Sequence, residues 1–378
     1  MKKGKFSSLT NLKMARFKKL NIVGVTGTNG KTTIATLLFR LYRKLGYNVA
    51  LVSTVENRIN EKTYKTNYTT PPANSLNKFL QKAVRKGVKY VFMECSSHGI
   101  HQKRIAGINF TGGIFTNLTQ DHLDYHGTMD KYAKAKKKFF DSLPKEAFAL
   151  SNMDDKYGKY ILSGTKAKKY FYSLRSPANF TEILNTQLIG KFNKYNVLAV
   201  YATAVLLGAP KVRIKTILKS LEPPVGRLEL VESKRGSLGV VDYAHTPDAL
   251  KNVLETLRNI YRKRKIITVV GCGGDRDKTK RPIMGKIAVD LSNYVIFTSD
   301  NPRSESPKKI LKDITSKLVR KNKYECQEDR AEAIKKACDI ANARDIILIA
   351  GKGHEDYQIL RKRKIHFSDK KVLERFLK

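Results

Sequence analysis

Tryptophan is absent from the 378 residues, and the four cysteines (Cys95, Cys272, Cys326 and Cys338) form no C-x-x-C pair. That excludes a zinc ribbon and a disulfide framework, and unpaired thiols suit a reducing compartment, so a cytoplasmic location is expected. A long hydrophobic run is also missing. The longest apolar stretch, Val197 to Leu207, includes Thr203 and falls far short of the roughly 20 residues a spanning helix needs. Seven Lys and Arg crowd the first twenty residues with no acid among them, yet no apolar core follows, so no secretory signal is read there.

Acidic residues are scarce as well. Thirty-three Asp and Glu face 74 Lys and Arg, a formal net charge of +41. An excess of this size could serve nucleic acid, an anionic membrane or phosphorylated metabolites. The lysines are spread along the whole chain on helix faces, and no nucleic-acid-binding motif accompanies them. They are read as a solvated coat with phosphate attraction as a by-product, so neither a nucleic-acid nor a membrane partner is expected. Hydrophobic residues at 41% suffice for packed cores and exclude wholesale disorder.

Apolar runs alternate with helical patterns. Strands are expected at 19–25, 48–54, 90–95, 109–116 and 147–152, with helices at 31–45, 75–86, 129–143, 193–207 and 212–221. Glu222-Pro223-Pro224-Val225-Gly226 marks a boundary, after which strands at 238–243, 265–270, 294–298 and 345–350 alternate with helices at 246–262, 281–291, 307–319 and 330–343. The fold class is α/β: a central, mostly parallel sheet domain like a P-loop ATPase over 19–222, then a smaller Rossmann-like domain over 226–378, with a basic tail over 1–18.

Between the first strand and helix stands Gly24-Val25-Thr26-Gly27-Thr28-Asn29-Gly30-Lys31-Thr32-Thr33. Glycines let backbone amides close around a phosphate, the helix N-terminus adds positive potential, Lys31 can reach the β/γ-phosphates, and the hydroxyl of Thr32 or Thr33 can bind magnesium. Val25 occupies the first glycine position of the strict G-x-x-x-x-G-K-[ST] pattern, but strand, loop, Lys-Thr and helix in order still point to nucleotide binding. Glu94 ends an apolar strand, where a carboxylate can enter a crevice and ligate magnesium, and His122 lies in a loop flanked by Asp121 and Asp124; taken alone, the first reads as an exposed strand-end acid and the second as a neighbour of a helix cap.

The run Gly27-Thr28-Asn29-Gly30-Lys31-Thr32-Thr33 resembles the ATP loop of the Mur ligases, which join amino acids to peptidoglycan precursors. Further blocks agree: Tyr68-Thr69-Thr70-Pro71, Met93-Glu94-Cys95-Ser96-Ser97-His98-Gly99, Thr116-Asn117-Leu118-Thr119-Gln120-Asp121-His122, Asp242-Tyr243-Ala244-His245-Thr246-Pro247, Gly271-Cys272-Gly273-Gly274-Asp275-Arg276-Asp277, Asp300-Asn301-Pro302-Arg303 and Gly351-Lys352-Gly353-His354-Glu355. The resemblance covers nearly the whole chain and implies ATP-dependent amide bond formation through an acyl phosphate, with ATP and Mg²⁺. It implies that Gly27, Thr28, Asn29, Gly30, Lys31, Thr32, Thr33, Asn196, Arg227 and Asp242 bind ATP. Thr32, Glu94, His122 and Lys136, the last carbamylated, would bind metal, and Lys31, Glu94, His122 and Lys136 would be catalytic. Crowded cations favour the neutral amine that carbamylation requires, but composition alone does not separate Lys136 from Lys134 or Lys137.

The resemblance further implies that Thr69, Thr70, Ser96, Gln102 and Arg104 meet the acceptor, a UDP-muramoyl dipeptide. Arg276, Asp300, Asn301, Arg303, Gly351 and Glu355 would meet the added amino acid. The Asp300-Asn301-Pro302-Arg303 block resembles the branch that adds diaminopimelate: Arg276 and Arg303 would pair with its second carboxylate, and Asn301, the Gly351 carbonyl and Glu355 would take its second ammonium. Mur ligases usually carry a further domain before the ATP loop that grips the UDP end. Here the loop begins at Gly24 behind the basic tail, which leaves open weak binding of a UDP acceptor, a UDP-binding partner in trans, or an acceptor without UDP. Alternatives are a relative that adds lysine or glutamate, or a non-catalytic ATP-binding subunit.

Overall fold

Ile22 and Val23 leave β1 (Asn21–Thr26) on opposite sides, and both are completely buried. The same holds for Val91 and Phe92 of β5 (Tyr90–Glu94). Strands buried on both faces read as unbroken apolar runs and require helices above and below, the condition of a parallel sheet. The computed structural model describes Phe17 and residues 19–233 and 235–377; the rest of the basic tail lies outside the described residues. The described residues form two compact units: those within Met1–Leu118 with Thr128–Leu188 and Phe192–Pro224, and those within Val225–Lys378 with Thr119–Gly127 and Ile189–Lys191.

In the first unit eight strands run in the order β4-β3-β2-β5-β1-β6-β7-β8. The remaining strands are β2 (Val49–Val52), β3 (Asn57–Ile59), β4 (Lys62–Tyr64), β6 (Gly112–Phe115), β7 (Phe148–Asn152) and β8 (Lys168–Tyr172). All pairings from β2 to β8 are parallel, whereas β3 and β4 add an antiparallel hairpin at one edge. One face packs Val23, Val25 and Phe92 against α1 (Lys31–Lys44) and, further along the chain, α5 (Lys191–Leu206). The other packs Ile22, Val91 and Met93 against α2 (Ala73–Arg85) and α4 (Met129–Asp141). The short α3 (Ser97–His101) follows β5, and α6 (Lys211–Leu218) closes the unit.

The second unit has six strands ordered β13-β12-β11-β14-β10-β9, parallel except for the edge pair β9–β10. They are β9 (Glu229–Glu232), β10 (Leu238–Asp242), β11 (Ile266–Val270), β12 (Tyr294–Phe297), β13 (Tyr324–Cys326) and β14 (Ile346–Ala350). Helices α7 (Pro247–Ile260), α8 (Lys280–Leu291), α9 (Pro307–Thr315), α10 (Arg330–Ile340) and α11 (Asp369–Phe376) cover the sheet. A separate hairpin joins β15 (Tyr357–Leu360) to β16 (Arg363–His366). Every long element expected from the sequence forms, with ends shifted by a few residues. The hairpins β3–β4 and β15–β16 and the edge strands β8, β9 and β13 were not among those expectations. Among the described residues no helix is long and apolar enough to cross a membrane.

Candidate active site

Parallel strands bring their carboxyl ends to one edge, where helix N-termini and loops gather. β1 lies between β5 and β6, so the loop after β1 is flanked by Glu94 on one side and Thr116 on the other. Gly27 has φ 150°, and a Cβ there would stand 1.8 Å from Thr116 Oγ1; Gly30 has φ 88°, and its Cβ would stand 2.5 Å from Asn196 Oδ1. Only glycine fits either place. Thr116 and Asn117 hold the loop between them. Thr116 Oγ1 donates to Asn29 O at 2.6 Å, and the Asn29 amide donates to Asn117 Oδ1 at 2.9 Å. Neither residue carried an expected role, and only their place in a matched block hinted at one.

Lys31 Nζ folds back onto the loop, donating to Gly27 O at 2.9 Å and Thr28 O at 2.8 Å. Lys136 Nζ also donates to Gly27 O, at 2.8 Å, and sits 4.5 Å from the Tyr132 ring centroid. The structure separates the lysines of α4 sharply: Lys136 is 1% exposed, Lys134 is exposed, and Lys137 pairs with Asp141 at 2.6 Å. Helical spacing places Lys136 on the same face as Tyr132, turned into the fold.

Glu94 is completely buried at the end of β5. Its Oε1 accepts from Thr32 Oγ1 at 2.9 Å and from the Thr54 amide at 2.8 Å, and its Oε2 accepts from Thr54 Oγ1 at 3.2 Å. All three donors are neutral. A buried carboxylate beside a hydroxyl is a hard oxygen set of the kind magnesium takes, and it calls for a compensating cation. Among the described residues no three His, Cys, Asp or Glu side chains gather as a metal cluster, so a full coordination sphere would draw on the hydroxyl, water and phosphate oxygens.

The expected acceptor residues are linked by hydrogen bonds in the same unit. Thr70 Oγ1 donates to Glu94 O at 2.9 Å and accepts from the Ser96 amide at 2.9 Å. Arg104 Nη1 donates to Thr70 O at 2.8 Å, and its Nη2 to Gln102 Oε1 at 2.6 Å. Ser96 caps α3 by accepting from Gly99 N at 3.1 Å, and the Thr69 and Thr54 hydroxyl oxygens lie 3.0 Å apart. Asn196 is buried in α5 and bonds to Asn193 Oδ1 at 3.0 Å.

His122 falls in the second unit, in a left-handed conformation (φ 55°) before the single turn Leu123–His126. Its neighbour Asp121 is 5% exposed and lies 3.4 Å from Lys280 Nζ and 3.8 Å from His245 Nε2. Burial opposes its charge, but Lys280, His122 and His245 outweigh that and hold the carboxyl well below the usual range. Lys280 and His245 were not assigned roles from the sequence. Arg227 lies over the Tyr243 ring at 4.6 Å, and Asp242 Oδ2 accepts from the Leu228 amide at 2.7 Å. Burial pushes the Asp242 carboxyl up, against the pull of Arg227.

At the carboxyl ends of β12 and β14, Asp300, Asn301 and Gly351 come together. A Cβ at Gly351 (φ 119°) would stand 2.8 Å from Asp300 Oδ2. Lys352, completely buried, donates to Glu355 Oε2 at 2.8 Å and to Asn301 Oδ1 at 3.2 Å. Asn301 Oδ1 also accepts from the Ile359 amide at 2.8 Å, and its Nδ2 donates to Glu355 Oε2 at 2.9 Å. The carbonyl end of Asn301, expected to receive an ammonium, thus already has two donors from the protein, and the amide works on Glu355. Burial and Asp300 push the Glu355 carboxyl up. Asp300 is held down by Lys352 and Arg330 despite its own burial. Arg303 is half-buried and bonds to Gly274 O at 2.9 Å, whereas Arg276 is exposed.

Residues 25–204 match the Mur ligase middle domain, and residues 226–353 match the Mur ligase glutamate ligase domain. A protein of Cytophaga hutchinsonii named UDP-N-acetylmuramoyl-L-alanyl-D-glutamate--2,6-diaminopimelate ligase is 51% identical over 95% of this chain and 78% of its own length. The chain belongs to the Mur ligase family. A Bacteroides fragilis protein of the same name is also 51% identical, over 94% of this chain and 78% of its own. A solved structure carrying that name shares 34% identity at TM-score 0.63, across 96% of this chain and 79% of that one. The folylpolyglutamate synthase of Mycobacterium tuberculosis, at 17% identity and TM-score 0.72 over 91% of each chain, shares the fold. This Mur ligase therefore keeps the family's α/β architecture in both units.

Proposed function

We propose that this Mur ligase joins diaminopimelate to the D-glutamyl carboxylate of UDP-N-acetylmuramoyl-L-alanyl-D-glutamate, using ATP, as a cytoplasmic step in peptidoglycan precursor synthesis. The observation that carries the reading is half identity over nearly the whole chain to proteins named for that reaction, in a chain that keeps the phosphate loop and the Asp300-Asn301-Pro302-Arg303 block.

Condensing a carboxylate with an amine in water is uphill, so the carboxylate is first activated. One of its oxygens attacks the γ-phosphorus of ATP, ADP departs, and an acyl phosphate forms. The amine of diaminopimelate then attacks the acyl carbon, loses a proton and expels phosphate. Loop amides from Gly30 to Thr33, with Lys31, would hold the phosphates as negative charge moves between oxygens. Magnesium, when bound, would neutralise charge on the transferring phosphoryl group. Thr32 and Glu94 would hold it, a carbamylated Lys136 would add an oxygen, and His122 is proposed as a further ligand. Thr69, Thr70, Ser96, Gln102 and Arg104 would orient the acceptor, while Asn196, Arg227 and Asp242 would bind the nucleoside end of ATP. Arg276 and Arg303 would take the second carboxylate of diaminopimelate. Gly351 O and Glu355 would take its second ammonium, with Asn301 and Asp300 fixing their positions. Alignment of amine and acyl carbon is a large part of the rate.

The test is ADP and phosphate release with UDP-N-acetylmuramoyl-L-Ala-D-Glu, comparing meso-diaminopimelate with L-lysine and reading product mass. Turnover that requires diaminopimelate is expected. Turnover with L-lysine alone, or ATP binding without turnover, would overturn the substrate assignment.

A further inference from the structure

Two loops carry the guanidiniums proposed for the second carboxylate of the amino acid, and among the hydrogen bonds that tie them together is a carboxylate held by a buried arginine. The loop after β11 (Gly271 to Arg276) runs beside the loop after β12 (Asp300 to Glu305). The Gly274 amide donates to Asn301 O at 2.9 Å, Arg303 Nη1 donates to Gly274 O at 2.9 Å, and Ser304 Oγ donates to Asp275 Oδ1 at 2.6 Å. A Cβ on Gly274 would stand 1.9 Å from Pro302 O, so the approach is backbone to backbone. Asp275 and Arg303 each sit at positive φ, 53° and 52°. Residues with side chains seldom adopt that conformation unless their surroundings impose it.

Glu305 stands at the junction. Its Oε1 accepts from the Asp275 amide at 2.6 Å and from Arg281 Nη2 at 2.8 Å, and its Oε2 accepts from Arg281 Nη1 at 2.9 Å. Arg281 is completely buried at the start of α8. It is anchored further by Asp313 Oδ2 at 2.8 Å and Gly273 O at 3.3 Å. Hydrogen bonding from Arg281 lowers the Glu305 carboxyl to about 2, so it stays ionised through the working range. A bidentate guanidinium–carboxylate pair is a directional joint and sets angle as well as distance. The joint grips the amide next to Arg276 on one side and lies two residues from Arg303 on the other.

We propose that Glu305 is a positioning residue for the amino-acid substrate: held in the Arg281 fork, it fixes the spacing of Arg276 and Arg303 and so favours an amino acid with a second carboxylate. The proposal rests on the assignment of those two arginines given above. Glu305 touches no substrate in this scheme, and its effect passes through the two loops.

The experiment uses the full chain with Glu305→Gln, which keeps shape and loses charge, and Glu305→Asp, which keeps charge and shortens reach. KM and kcat for diaminopimelate, KM for ATP and the melting temperature are read together. The expected result for Glu305→Gln is a KM for diaminopimelate raised about tenfold, with KM for ATP within about twofold of wild type. Glu305→Asp should restore part of the loss. The preference for diaminopimelate over L-lysine, which lacks the second carboxylate, should narrow by the same factor. A lowered melting temperature with unchanged KM for diaminopimelate, or equal losses for both amino acids, would reduce Glu305 to a stabilising contact and overturn the proposal. If Glu305→Gln does not fold, Arg281→Lys, which loses one arm of the fork, is held to the same criteria. A wild-type enzyme indifferent to diaminopimelate overturns the parent assignment and this one with it, before any variant is made.

Discussion

Lys31 and Lys136 donate to one and the same oxygen, the carbonyl of Gly27, at 2.9 and 2.8 Å. Two ammonium groups sharing an acceptor repel one another, and an anion beside them relieves that repulsion. A nucleotide phosphate would do so, and so would a carbamate on Lys136, which turns one of the cations into an anion.

Lys136→Ala should therefore lower kcat by about 100-fold or more, the scale of losing a group aimed at transition-state charge. ADP affinity should stay within a few-fold. Acetate or formate added to the variant should restore part of the rate by standing in for the missing carboxylate. Labelled bicarbonate should give a carbamate carbon signal in wild type and none in the variant. A variant that keeps full rate would remove Lys136 from the chemistry.

Glu94→Gln keeps the acceptor for Thr32 and Thr54 on one atom but removes the charge. Activity should fall by about 100-fold or more, and raising magnesium should recover little of it. ADP binding measured without magnesium should barely change. The Glu94 role is refuted if the loss is under threefold.

Gly27→Ala would place a methyl where Thr116 Oγ1 already is, 1.8 Å from the ideal Cβ position. The loop must open or Thr116 must give up its bond to Asn29 O. Affinity for a fluorescent ADP analogue is expected to fall about tenfold or more, with the sheet intact by circular dichroism.

His354 supplies a pH signature. Burial, with Arg227 adding to it, lowers its imidazole to about 3, so the ring is neutral in the folded protein at pH 7. In the unfolded chain the ring takes a proton near pH 6.5, so below that value the unfolded state binds more protons and stability falls as pH drops toward 3. Melting temperature should decline between pH 7 and 5, and His354→Gln should flatten the decline. An identical slope in the variant would assign the effect elsewhere.

How far the sequence could be read depended on how local the signal was. The run from Asn21 to Lys44 is legible because strand, glycine loop and Lys-Thr helix start are contiguous, and the buried strands announce themselves as apolar runs. Lys136 is different. In a stretch of alternating lysines only the helical phase set by Tyr132 and Phe139 decides which one turns inward, and composition carries no such phase. The hairpin strand from Arg363 to His366 has no buried residue at all, so no apolar alternation could betray it. Lys352 and Lys280 look like two more basic residues in a chain with 74 of them, and their buried contacts with Asn301 and Asp121 join residues far apart in sequence.

The place of β14 has a consequence for how the protein is made. This strand, from Ile346 to Ala350, pairs on one side with β10 and on the other with β11. Until residue 350 has left the ribosome, the strands on either side of that gap are bare hydrogen-bonding edges with Val240, Val241, Val269 and Val270 beside them. A chain stalled or cut before Ile346 is thus expected to be captured by chaperones or to aggregate, whereas the first unit already has all eight strands of its sheet by Tyr172. Nascent-chain proteolysis should show early protection in one half and abrupt, late protection in the other.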